Sequence, residues 1–107
     1  MALRHTRGFR TPVDLADHFA DHGARLGIST QDEYETFADE FLQPTCPATA
    51  IEFVRRRNGD TVRYDETADV FAVLARDRVI KTCYRPDPAF HGEATNKGYF
   101  LSERAKR

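Results

Sequence analysis

Tryptophan is absent from this 107-residue chain, which has only one methionine and two cysteines. No apolar run comes near the roughly 20 residues that a membrane-spanning helix needs, so we expect no contact with a membrane. Cys46 and Cys83 are far apart in the sequence and belong to no CxxC pair. We therefore favour two ordinary thiols in a reducing compartment, and a single disulfide between them is the alternative.

The N-terminal segment MALRHTRGFR is basic, but it lacks the apolar stretch of a secretory signal peptide. We therefore expect no signal peptide and a cytoplasmic site of action. Delivery as part of a larger secreted effector is an alternative that the sequence leaves open.

Length and composition predict one globular domain. A chain of 107 residues can bury one core but not two, and its 40% apolar and 31% charged residues are a balance typical of folded proteins. We expect a single domain over residues 1–107, with residues 1–10 as a flexible arm, and a monomer when no partner is bound.

The charges are unevenly distributed, although the net charge is only −1. Residues 1–50 contain 4 Arg and Lys against 8 Asp and Glu, whereas residues 51–107 contain 12 against 9. A basic half is a weak indication of an anionic ligand. A solvated, arginine-rich strand end explains the same pattern equally well.

A first helix is predicted to begin at Thr11. Thr11 suits the N-cap, Pro12 the first helical position, and Asp14 the positive end of the helix dipole. Gly23 is expected to end this helix in the left-handed conformation.

A second helix is predicted to begin at Thr30, which forms a capping-box pattern with Glu33, and to end before Pro44. Its apolar residues recur at helical spacing: Tyr34, Phe37, Ala38, Phe41 and Leu42.

After a linker over residues 43–50 the pattern changes to strands. Asn58-Gly59 predicts a two-residue hairpin turn, and residues 70–74 are apolar on both faces, as in a central strand. A short edge strand is expected in GYFL, residues 98–101. The fold class is therefore α+β, with the two N-terminal helices packed on one face of a four- to five-stranded antiparallel sheet.

His18 and His22 are four residues apart, the spacing at which two helical histidines can bind one zinc ion. The metalloprotease form of that motif has Glu directly after the first histidine, where this chain has Phe19. The remaining histidines and the cysteines are scattered, so we expect no metal and no other cofactor. The chain also lacks a GxSxG nucleophile motif and a glycine-rich phosphate loop.

The residues present suit metal-free cleavage of RNA, in which the 2′-hydroxyl of the substrate is the nucleophile. Such a site needs a histidine to move a proton, a cation to stabilise charge on phosphorus, and hydroxyl groups to position the phosphate. The chain has all three, with histidine at a helix end and arginine, threonine and tyrosine on predicted strands. Many domains of this size contain such a set, so the inventory alone decides little.

Two segments resemble the two halves of small bacterial toxin nuclease domains. DHFADHGARLGISTQDEYETFADEFL is similar to their opening H-x-x-x-H-G segment, and GDTVRYDETADVFAVLARDRVIKTCYRPD is similar to their second half. The resemblance covers residues 13–102. It is to the barnase–EndoU–colicin–RelE class of metal-independent ribonucleases, and within it to the colicin D-like and contact-dependent-inhibition toxins.

The resemblance implies a catalytic set. His22 takes the position of the general acid–base histidine, and His18 accompanies it one turn earlier. Thr82 matches a strand threonine near the phosphate, Tyr84 matches its aromatic neighbour, and Arg57 matches the basic residue ahead of the turn.

We expect a further set to contact the substrate: Arg55, Arg63, Thr67, Lys81 and Tyr99. Arg63 is the alternative to Arg57 as the cation that stabilises the phosphate. The chain departs from the family pattern at three points. Ala68–Asp69 replace an asparagine, Arg78 replaces a turn glycine, and Asp21 replaces a lysine beside the histidine.

The implied activity is cleavage of RNA, with transfer RNA as the expected substrate, to a 2′,3′-cyclic phosphate and a 5′-hydroxyl. The implied partner besides RNA is a dedicated immunity protein. The alternative is an inactive domain of the same fold that binds a protein, which the net acidity and Asp21 favour. A DNA-binding regulator is less consistent with the sequence, because neither helix has a basic recognition surface.

Without the resemblance, the same residues have structural interpretations. His22 is then a helix C-terminal histidine favoured by the dipole, Thr82 a strand former, and Arg55–Arg57 a solvated strand end.

Overall fold

Two helices, an antiparallel sheet and a C-terminal helix follow one another in residues 3–106, the part of the chain that the computed structural model describes. The helices are α1 (Pro12–His22), α2 (Gln31–Phe41), α3 (Pro88–His91) and α4 (Asn96–Ala105), and a 3₁₀ turn spans Ala24–Leu26. The strands are β1 (Ala50–Val54), β2 (Thr61–Asp65), β3 (Val70–Leu74) and β4 (Ile80–Tyr84), paired in the order β1-β2-β3-β4.

The predicted helix starts are confirmed. The Thr11 hydroxyl accepts a hydrogen bond from the Asp14 N–H at 3.1 Å, and the Thr30 hydroxyl accepts one from the Glu33 N–H at 3.2 Å. These side chains satisfy N–H groups that have no partner inside the first helical turn. The α+β class and the two N-terminal helices are therefore as expected.

The prediction that α1 ends at Gly23 is confirmed, but the predicted left-handed conformation of Gly23 is wrong. Its φ of −60° is right-handed, and the left-handed residue is Gly27, with φ 72°. The chain adds the 3₁₀ turn before it reverses, because the N–H groups of Leu26 and Ile28 both bond to the Gly23 carbonyl, at 3.1 and 3.0 Å. This added turn places Arg25 beside the end of α1.

The predicted two-residue hairpin is also wrong. Val54 pairs with Thr61, so the loop between β1 and β2 spans residues 55–60. Gly59 does have a positive φ of 78°, but it closes a wider loop in which its N–H donates to the Arg55 carbonyl at 2.9 Å. The arginines of this segment therefore leave the strand.

Both faces of the sheet are covered. On one face, buried residues of α2 and of its C-cap pack against alternate residues of β3: Tyr34, Ala38 and the cap residue Leu42 against Val70, Ala72 and Leu74. On the other face, Phe100 packs in a cluster with residues from three strands: Phe53, Val62, Tyr64, Phe71 and Val73. The two sets alternate along β3, as the pleat of a strand requires.

Residues 98–101 belong to α4, so the expected edge strand is wrong. The Thr95 hydroxyl caps the helix by accepting a hydrogen bond from the Gly98 N–H at 2.9 Å. Within a helix Phe100 points into the sheet and is fully buried, which gives the second face of the sheet its cover.

The expected flexible arm is wrong for residues 3–10, while residues 1 and 2 lie outside the described part. Phe9 is buried in the core, and the Ile80 N–H donates to the Gly8 carbonyl at 2.9 Å, so this segment lies along β4. The carboxylate of Asp39 in α2 accepts hydrogen bonds from the N–H groups of residues 4, 5 and 6 and from the Thr6 hydroxyl.

Cys46 and Cys83 are both free. In residues 3–106 no helix has the length and apolar character needed to cross a membrane.

We predict that Asp39→Ala destabilises the fold by about 1.5–3 kcal/mol, the net contribution of hydrogen bonds to a charged group. These hydrogen bonds hold the pKa of the Asp39 carboxyl below its usual 3.8, although burial opposes them. The stabilisation is therefore complete above that pH and lost as pH falls below it. Urea unfolding at pH 7 and in acid measures both effects, with Asp17→Ala, an exposed carboxylate on α1, as control. Equal stability of the two variants at pH 7 would contradict the prediction.

Candidate functional site

A pocket of about 500 Å³ opens at the end of β4, between the end of α1 and the segment that contains α3 and α4. Its polar and aromatic walls are formed by His22, Arg25, Tyr84, Arg85, His91 and Tyr99, and it is completed by Asp21, Pro86, Asp87 and Phe90. Histidine, arginine and tyrosine side chains around one cavity of this size are a candidate site for a small or extended anionic ligand.

His22 occupies the last position of α1, and its ring stacks on Tyr84 with 4.9 Å between the ring centroids. Within residues 3–106 neither ring nitrogen of His22 has a hydrogen-bond partner, and no buried side-chain nitrogen or oxygen lacks one. Each of the two nitrogens therefore keeps some contact with solvent. Desolvation lowers the pKa of His22 below 6.5, the charge of His18 lowers it further, and Asp21 opposes both. The lowered pKa favours the neutral imidazole, the form that can accept a proton.

His18 lies one turn before His22 on α1, with 5.8 Å between the two ring centroids. Its Nδ1 is 3.3 Å from the hydroxyl of Thr82 on β4. Thr82 therefore fixes the orientation of the first histidine, and both lie next to the pocket rather than in its wall.

Tyr84 and Tyr99 join β4 to α4 across the pocket floor, with 3.2 Å between their hydroxyl oxygens. Burial raises the pKa of the Tyr84 hydroxyl well above its usual 10, and the hydrogen bond to Tyr99 and the charge of Glu103 add to this. Tyr84 therefore keeps its proton and can donate a hydrogen bond, but it is not a base.

His91 lines the pocket, and both of its ring nitrogens form hydrogen bonds. Its Nε2 is 2.9 Å from the Asn96 Oδ1, and its Nδ1 accepts a hydrogen bond from the Glu93 N–H at 3.1 Å. The Asn96 amide is itself oriented, because its nitrogen donates to Asp69 Oδ1 and to the Pro86 carbonyl. The network thus assigns His91 the neutral tautomer with hydrogen on Nε2, stacked on Tyr99 at 4.5 Å.

Arg25 and Arg85 lie at the pocket rim, and each side chain is held in place by hydrogen bonds to the segment that contains the other. Arg85 Nη1 donates to the Arg25 carbonyl at 2.7 Å, and Arg25 Nη2 donates to the Pro86 carbonyl at 3.2 Å. Arg25 also lies 3.8 Å from an oxygen of Asp87. A guanidinium has five N–H donors, so both side chains retain donors for a ligand.

The structure brings together some of the residues that the sequence predicted. His22, Tyr84 and Tyr99 line the pocket, and His18 and Thr82 adjoin it. Lys81 is exposed, pairs with Asp60 at 2.8 Å, and shares a separate shallow groove with His18.

Three other predicted residues lie away from the pocket. Arg57 and Arg55 belong to the β1–β2 loop and line a small separate cleft with Glu103, although the charge of Arg55 still acts on the Tyr84 hydroxyl. Thr67 is exposed in the turn between β2 and β3, where its N–H donates to Asp65.

Arg63 has a structural position. It is 3% exposed, pairs with Glu52 at 2.7 Å, and donates to the carbonyls of Phe41 and Gln43 at 2.8 Å each. Arg63 lies on the face of the sheet that α2 covers. Its guanidinium therefore holds β2 to the end of α2 and does not reach the pocket.

Sequence reasoning missed Arg25, Arg85, Phe90 and His91. Arg85 follows Tyr84 directly, and the two prolines after it marked the end of the strand, so a search of strand ends would have included it. Arg25 and His91 reach the pocket only through tertiary packing, which no local pattern signals.

One group of side chains in residues 3–106 has the spacing of metal ligands, namely His5, Asp39 and Glu40. Asp39 is already saturated by donors from the N-terminal segment, and Arg4 pairs with Glu40 at 2.8 Å. We therefore interpret this group as contacts that hold the N-terminal segment against α2.

Comparison with protein-family models gives no match to this chain, and comparison with curated proteins gives none either. Membership of the ribonuclease class that the motifs suggest therefore stays a hypothesis. What the pocket can do has to follow from its own chemistry.

We predict that the His22 resonances titrate with a midpoint below 6.5, because the ring is partly desolvated. Asp21→Asn should lower this midpoint further, since it removes the negative charge that favours the imidazolium, and His18→Gln should raise it. Titration followed by NMR measures all three. A midpoint above 6.5 in the unsubstituted protein, or shifts of the opposite sign, would contradict this electrostatic account.

Proposed function

We propose that this protein is a metal-independent endoribonuclease that acts in the His22 pocket. The observation that supports the proposal most is the His22 imidazole, stacked on Tyr84 in a cavity that two guanidinium groups also line, with its pKa lowered by desolvation. A proton acceptor, a protonated hydroxyl and cations within one cavity are what in-line attack by a 2′-hydroxyl on the adjacent phosphate requires.

In the proposed reaction His22 accepts the proton of the 2′-hydroxyl as that oxygen bonds to phosphorus. The bond from phosphorus to the 5′ oxygen breaks, and this oxygen takes up a proton, for which His18 is the neighbouring imidazole. The products are a 2′,3′-cyclic phosphate and a 5′-hydroxyl. No metal and no covalent enzyme intermediate take part.

Charge on the phosphorane is stabilised by cations and a hydroxyl of the pocket. We assign this role to Arg25 and Arg85 in place of Arg57 and Arg63, because the first two line the pocket and the other two do not. Tyr84, which keeps its proton, donates a hydrogen bond to a phosphate oxygen. Such preorganised donors act most strongly in a site that excludes bulk water.

The narrower expectations come from the family resemblance. Transfer RNA as the substrate, an immunity protein as partner, and delivery to the cytoplasm in a larger effector all depend on membership of the toxin nuclease class. They remain predictions of that hypothesis.

A protein-binding module without activity is the second candidate. Asp21 and Asp87 lie in the pocket wall beside the arginines, and their charges oppose phosphate binding. Affinity for RNA that falls steeply with salt favours the nuclease, because phosphate contacts release counterions. Affinity for a protein without affinity for RNA favours the module.

We predict that the protein cleaves RNA in the presence of EDTA and that His22→Ala lowers the rate by about 10²–10⁴-fold, the usual contribution of general acid–base catalysis. Gel analysis of total RNA, followed by kinetics on a labelled fragment, measures the effect. His5→Ala is the matched control, since His5 lies beside Asp39 and Glu40, outside the pocket. Full activity in His22→Ala would refute the assignment of the base, and intact RNA at excess protein would refute the proposed activity.

A further inference from the structure

Phe90 is the most exposed large apolar side chain in residues 3–106, at 90% of its full accessible area. It lies at the mouth of the pocket, and an aromatic ring held in water without a partner gives up the favourable free energy of its burial. Burial in the core therefore does not account for the position of Phe90.

The backbone below Phe90 is held rigidly. The Asp87 carboxylate caps α3 by accepting a hydrogen bond from the Ala89 N–H at 2.9 Å, Pro88 occupies the first helical position, and Gly92 ends the helix with φ 80°. The next residue, His91, is stacked on Tyr99 and bonded at both nitrogens. Phe90 is thus presented outward from a fixed support and is not part of a loose loop.

Most of the residues that line the pocket with Phe90 are aromatic or charged. Arg25 and Asp87 supply hydrogen-bond donors and acceptors, and the stacked rings of His91 and Tyr99 supply a flat wall. A planar heterocycle with donors and acceptors along its edge suits such surroundings, whereas an aliphatic side chain of a protein partner would leave the charged groups unpaired.

We propose that Phe90 and the pocket behind it form a subsite for an unpaired base of single-stranded RNA, next to the phosphate that is cleaved. The inference rests on the proposed function and defines its substrate more closely. Bases of single strands stack on exposed aromatic side chains, and their edges hydrogen-bond to nearby polar groups. A base within a duplex is already stacked and paired, so the subsite selects single-stranded segments.

The subsite is tested by binding, with 2′-O-methyl RNA as the probe, since this strand has no free 2′-hydroxyl and cannot be cleaved by the proposed reaction. A labelled single strand is compared with an abasic strand of equal length and charge and with the same strand in a duplex. The proteins are the unsubstituted chain, Phe90→Ala, Phe90→Trp and Val54→Ala. Val54 is a half-exposed apolar residue on β1, outside the pocket, and serves as the control.

We predict that the unsubstituted protein binds the base-bearing single strand about 5- to 100-fold more tightly than the abasic strand or the duplex, as loss of one stacked base implies. Phe90→Ala should lose most of this preference, and Phe90→Trp and Val54→Ala should keep it. Because Phe90 is exposed, the thermal midpoint of Phe90→Ala should stay close to that of the unsubstituted chain.

Several results would overturn the subsite. These are equal binding of the base-bearing and abasic strands, no binding of either, or a preference that persists in Phe90→Ala. Any of them would mean that Phe90 does not form a subsite for a base. Since binding of an uncleavable strand needs no catalysis, a protein that binds as predicted but cuts no RNA would refute the ribonuclease and retain the subsite.

Discussion

All five residues of β3 are buried, and this strand has side chains on both faces of the sheet. Each face must therefore be covered by another layer, because exposed apolar side chains on either side would forfeit the main driving force of folding. The helices α1 and α2 cover one face and α4 covers the other. The pocket is a result of this requirement, since it lies where the end of α1 and the start of α4 approach the end of β4.

Hydrogen bonds around the core hold these layers in fixed positions relative to one another. The Tyr34 hydroxyl donates to the Cys83 carbonyl and ties α2 to β4, while Asp39 ties the N-terminal segment to α2. Asn96 joins the start of α4 to the Pro86 carbonyl. The side chains of the pocket therefore lie on elements that are held in place by contacts elsewhere, and no hydrogen bond of His22 in residues 3–106 contributes to this.

Local signals predicted those parts of the fold that depend on neighbouring residues. The caps at Thr11 and Thr30 and the apolar central strand follow from sequence patterns of a few residues, and the structure confirms them. Residues 98–101, expected as an edge strand, belong to α4, because the second face of the sheet has to be covered and a helix buries Phe100 against it.

Only part of the candidate site could be predicted, because local patterns do not show which residues tertiary packing brings together. His22 and Tyr84 stood out by residue type and position, and they do meet. Arg63 has the charge that a phosphate site needs, but its side of the strand decides its role, and that side faces α2. Arg25 and His91 join the pocket through a 3₁₀ turn and a short helix, whose packing is not encoded in any spacing along the chain.

The central claim is that the pocket uses the substrate's own 2′-hydroxyl, activated by His22. The most direct test is an RNA fragment whose cleavage point has been mapped and that is then remade with a single 2′-deoxy nucleotide on the 5′ side of that bond. The account predicts that cleavage at this bond stops, while other sites in the fragment are still cut to 2′,3′-cyclic phosphate ends. Cleavage at the 2′-deoxy position, or products with a 5′-phosphate, would contradict it.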